Sequence, residues 1–200
     1  MERELLLSPS QFFHHTTHFE PLPMNAAAHC VEARALLQYD LEPSTFAADW
    51  RHCDRIANYL AGLASFDRVD SFLYANLLST VLNELFEIVF CQHAPSGRVA
   101  CIISRNGSTD RIQLQIPAGE RQREFYRRSV AAAQAPEVGD VYTKSLLGGE
   151  TADHSVGFLE LAADYGAKIR AEEPSDSEYL HLIVDVSLEE NRISSPFTTP

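Results

Sequence analysis

One stretch constrains this chain more than any other. Between residues 70 and 93, Leu73, Leu77, Leu78, Val81, Leu82, Leu85, Phe86, Ile88 and Val89 cover most of a helical circumference. A helix that is apolar nearly all round is buried. The exception is a polar stripe, Asn76, Thr80, Asn83, Glu84 and Glu87, whose offsets place these side chains on one face. Such a stripe either meets solvent or lines a polar cavity. The rest of the chain must therefore build a core around this helix. With 200 residues, 45% of them apolar and 22% charged, it has the material for one domain with an extension.

The elements on either side follow from periodicity. Phe46, Trp50, Cys53, Ala57 and Leu60 recur at spacings of 4, 3, 4 and 3, one face of an amphipathic helix with Ser44 or Thr45 as its N-cap. Trp50 reads as a core anchor. Arg98 to Ser104 and Arg111 to Pro117 read as two strands joined through Arg105-Asn106-Gly107, since Asn-Gly is a hairpin signal. Glu120 to Gln134 is expected to be helical. Residues 135 to 152, with Pro136, Gly139, Gly148 and Gly149, read as a loop. A short helix capped by Asp153 ends at Tyr165, with Gly166 as its stop. Lys168 to Glu172 and Tyr179 to Leu188 form a second hairpin, and Leu180, Leu182, Val184 and Val186 give the last strand one apolar face. Before all this, Gln11 to Glu20 reads as a strand or irregular arm, Pro21, Pro23 and Asn25 break the chain, and Ala26 to Leu37 reads as a helix. Hairpins and helices in blocks predict an α+β two-layer sandwich, a mainly antiparallel mixed sheet covered on one face by helices. The expected domain limits are 1–43 for an extension, 44–188 for the folded domain and 189–200 for a tail.

Charge narrows the partners. Sixteen Lys and Arg against 28 Asp and Glu leave a net charge of −12. That disfavours nucleic acid, whose binding comes from neutralised phosphates, and anionic membrane surfaces. No run reads as a membrane span, and Met1-Glu2-Arg3-Glu4 before Leu5-Leu6-Leu7 lacks the basic start of a signal peptide. Cys30, Cys53, Cys91 and Cys101 form no C-x-x-C pair and read as buried free thiols in the cytoplasm.

The order of motifs resembles a known family. Asn83-Glu84-Leu85-Phe86-Glu87 on a long helix, a hairpin, a loop, and Ser155-Val156-Gly157-Phe158-Leu159 opening a helix that closes on Asp164-Tyr165-Gly166-Ala167 look like the GHKL (Bergerat-type) ATP-binding fold of histidine kinases and anti-sigma-factor kinases. Trp50-Arg51-His52-Cys53 ahead of the Asn-Glu-Leu helix makes the nearer match the SiaB-like bacterial signalling regulators. The resemblance covers about residues 40 to 188.

The resemblance implies ATP and Mg²⁺ as cofactors and transfer of phosphate to a Ser or Thr of a protein partner, a small regulator like the anti-sigma-factor antagonists. It leaves a homodimer open. It assigns Glu84 as catalytic base and Asn83, Glu87, Ser155 and Gly157 as nucleotide-binding residues, with phosphate at the free N–H groups of a helix start. An asparagine four residues after the glutamate supplies the metal ligand in the family; here Ile88 stands there, so no residue is assigned to a metal. Serine replaces a glycine at Ser155. The aspartate that receives adenine in histidine kinases has no counterpart near Pro117-Ala118-Gly119. The alternative is therefore a regulator of the same fold that has lost its nucleotide and acts by binding a partner.

Other clusters carry less. His14, His15 and His18 invite a zinc reading and an unrelated α+β enzyme, but the segment does not look helical and only Glu20 accompanies it. His154-Ser155 is poor geometry for a nucleophile and base. Lys144-Ser145 precedes Gly148-Gly149, the wrong order for a phosphate loop. Glu172, Glu173, Asp176 and Glu178 read as a solvated turn.

Overall fold

The computed structural model describes residues 33–42, 51–92, 97–147, 155–175 and 177–188. These lie in one compact unit. The elements are β1 (Arg34–Leu41), α1 (Arg51–Ser65), α2 (Ser71–Gln92), β2 (Val99–Asn106), β3 (Thr109–Pro117), α3 (Glu120–Ala133), α4 (Val138–Leu147), α5 (Val156–Tyr165), β4 (Lys168–Glu172) and β5 (Tyr179–Val186). The strands form one sheet in the order β1-β2-β3-β5-β4. All four pairings are antiparallel, so the expected mixed sheet is purely antiparallel among the described residues.

Alternation along the strands selects the packed face. Val99, Cys101 and Ile103 of β2, Ile112, Leu114 and Ile116 of β3, and Leu180, Leu182, Val184 and Val186 of β5 are buried. Residues directly opposite share a face, and the pairs Cys101–Leu114 and Leu114–Leu182 extend one apolar surface across the sheet. The opposite face carries Gln113, Gln115 and the Arg111–Asp185 ion pair, with Nε to Oδ1 at 2.7 Å.

α2 lies in the core as expected. Tyr74, Leu78, Val81, Leu82, Leu85, Phe86, Ile88 and Val89 are buried. It is the one helix among the described residues long and apolar enough to cross a membrane by length and composition, so the reading that no run reaches such a span needs amending. α1 packs on α2 with Cys53, Ala57, Leu60, Ala61 and Ala64 buried, and apart from Leu60 these are small residues that let the helices approach closely. α3 and α5 meet where Phe158 packs edge-on to Tyr126, ring centres 6.1 Å apart. Removing buried side chains of this size costs about 3–5 kcal/mol.

Several expectations change. Residues 34–37, read as the end of a helix within the extension, are part of edge strand β1, paired with β2 from Arg34↔Arg105 to Leu41↔Val99. The first hairpin turns on Gly107-Ser108, because Asn106 pairs with Thr109; Gly107 has φ +62, a left-handed conformation that glycine adopts freely. Residues 138–147, read as loop, are helix α4, which buries none of its residues. Cys53 and Cys101 are buried, but Cys91 is exposed. Phe46, Trp50, the Ser44/Thr45 cap, Asp153, His14, His15, His18 and Cys30 lie outside the described residues.

Candidate functional site

The polar stripe of α2 meets α5 rather than bulk solvent. Gly157, in the first turn of α5, sits directly on it. A Cβ at Gly157 would lie 2.9 Å from Ile88 Cδ1 and 3.0 Å from Glu84 Oε2. Glycine is needed here for close approach between helices. At the other end of the contact a hydrogen bond joins Thr80 to Tyr165. Thr80 lies beside the end of α5 and Glu84 beside its start, so the two helices run past each other in opposite directions. Gly166, at φ 60, ends α5, and Ala167 N–H donates to Leu161 O at 3.0 Å.

Four carboxylates gather along this seam: Glu84 and Glu87 from α2, Glu160 and Asp164 from α5. Glu160 and Asp164 stand three and seven residues after Gly157 and so share its helix face. α4 reaches the same place through Tyr142, which hydrogen-bonds to Glu160. Burial, then Glu160 and Glu87, push the Glu84 carboxyl up to about 7. Burial and Asp164 also raise Glu160. No lysine or arginine among the described residues offsets the charge on Glu84. The site therefore holds a proton on Glu84 near neutral pH, the condition a general acid or base requires.

The other assigned residues are placed as follows. Asn83 Nδ2 donates to Glu87 Oε1 at 2.8 Å. Asn83 Oδ1 is buried with no hydrogen-bond partner. Ser155 precedes α5 with no side-chain cap; its carbonyl accepts from Phe158 N–H at 3.1 Å. Glu84 and Gly157 are thus in contact, Asn83 and Glu87 are bonded to each other one turn along, and Ser155 contributes backbone alone. Pro117-Ala118-Gly119 ends β3 and opens α3, fastened by Ala118 N–H to Glu178 O at 2.9 Å. Glu160, Asp164, Tyr142 and Tyr165 were not singled out from the sequence; the i, i+3, i+7 spacing of Gly157, Glu160 and Asp164 is the signal that finds the first two.

A magnesium nucleotide fits these residues poorly. Mg²⁺ takes oxygen ligands in near-octahedral geometry. At the position where the resemblance expects a ligand, Ile88 is 3% exposed and presents a methyl group to Gly157. No group of His, Cys, Asp and Glu among the described residues is arranged to hold a metal ion.

The architecture itself has a counterpart. A chain in the crystal structure of the SiaB–SiaC complex from Pseudomonas aeruginosa matches at TM-score 0.51 and 14% identity, over 76% of this chain and 90% of that one. The two share a fold. At this identity the likeness extends to the fold alone. No protein-family model matches the sequence, and no curated protein does.

A second charged cluster lies at the far end of α2 and was missed in the sequence. Asp110 is fully buried. It accepts from Tyr74 Oη at 2.8 Å, from Arg105 Nε at 2.7 Å and Nη2 at 3.1 Å, and from Arg68 Nη2 at 3.4 Å. Arg105 also bonds to Asp67 and to Ala64 O, and Arg68 lies 4.4 Å above the Tyr74 ring. Burial and the Asp110 carboxylate raise the Tyr74 phenol above its usual range.

Proposed function

We propose that this chain is a SiaB-like, GHKL-type signalling regulator that acts by binding a protein partner and has lost magnesium-nucleotide chemistry. The observation that carries the reading is the packing of Ile88 on Gly157. An alkyl group fills the space between α2 and the helix start that a phosphate cradle would leave open. The named complex pairs two proteins, which supports a protein partner for a chain of this fold. The net charge of −12 argues against nucleic acid as that partner.

The placement of Glu84 favours a second reading, a protein serine/threonine kinase. Its carboxyl, at about 7, lies against the first turn of α5, with Tyr142 of α4 close enough to feel its charge. In that reading Glu84 takes the proton from the hydroxyl of the partner.

Thermal melting with and without about 5 mM Mg-ATP separates the two, because a ligand that binds only the folded state raises the midpoint. No rise is expected. A saturable rise that survives Glu84→Gln would restore the kinase reading as far as binding. Phosphate transfer to a co-purified partner, lost in the same variant, would complete it.

A further inference from the structure

We draw no further inference here: the strongest candidate, the cluster of carboxylates Glu84, Glu87, Glu160 and Asp164 along the seam between α2 and α5, with Tyr142 of α4 bonded to Glu160, belongs to the site already described, and as an acidic cluster not arranged to hold a metal ion it carries nothing beyond that site.

Discussion

The two ends of α2 handle buried carboxylates in opposite ways. At its start, Asp110 is wholly buried yet answered by two guanidinium groups and a phenol. At its middle, Glu84 is half-buried, and the neighbours that act on it, Glu160 and Glu87, carry the same sign. The first arrangement satisfies every oxygen and fastens the β2–β3 hairpin to both ends of the α1–α2 turn. The second leaves charge unbalanced, and the carboxyl keeps a proton to compensate. A fold gains nothing from the second arrangement, which is why the α2–α5 seam, and not the better-bonded cluster, is the candidate site.

Breaking the satisfied end should have the largest effect. Asp110→Ala leaves Arg105 and Arg68 facing a buried void, and removing one partner of such a network costs about 3–5 kcal/mol. Urea unfolding reads this directly; a loss near zero would mean that the network is ornamental and the contrast false. Gly157→Ala tests the closeness of the seam. The new methyl would press on Ile88 and Glu84, with an expected cost of about 1–3 kcal/mol. Pairing it with Ile88→Val should recover part of that loss in a double-mutant cycle, and simple additivity would show that the two residues do not touch.

The smallest effect concerns the unbalanced charge itself. The folded-state pKa of Glu84 lies near 7, above the ordinary glutamate value of 4.5, so the folded chain binds the extra proton. Stability should therefore fall as pH rises from about 4.5 to 7 and level off above that. Solvent screening of a half-buried group reduces the effect to about 1 kcal/mol. Glu84→Gln should flatten this part of the profile and be the more stable protein at pH 8 by that amount. A variant with an unchanged profile would show that Glu84 is ionised throughout, like an ordinary surface glutamate.

What was legible in the sequence was whatever one element encodes by itself. The buried helix with its stripe, the alternation in β2, β3 and β5, and the Tyr165-Gly166 stop all state their structure locally. β1 was misread because Arg34-Ala35-Leu36-Leu37-Gln38 is helix-favouring; its strand conformation comes from pairing with β2, which tertiary context imposes over propensity. α4 was hidden by the glycines and proline around it. Of the candidate site, the α2 half was visible and the α5 half was only partly so. Glu84 and Gly157 could be named, but the encounter of Ile88 with Gly157 is a matter of distance between helices that spacing along one of them does not contain. The Asp110 network had a usable signal: the hairpin register sets Arg105 opposite Asp110 across the two-residue turn.

The strand order has a consequence for how the chain comes into being. β3 finds its second neighbour only in β5, and the Arg111–Asp185 pair across that seam spans 74 positions. A ribosome emits β1, β2 and β3 well before β5 exists. Until the last hairpin is released, the nascent sheet ends on β3, with a row of unpaired amides and carbonyls along Ile112, Leu114 and Ile116. That interval, rather than the finished molecule, is when this chain is most open to capture by other unfinished strands.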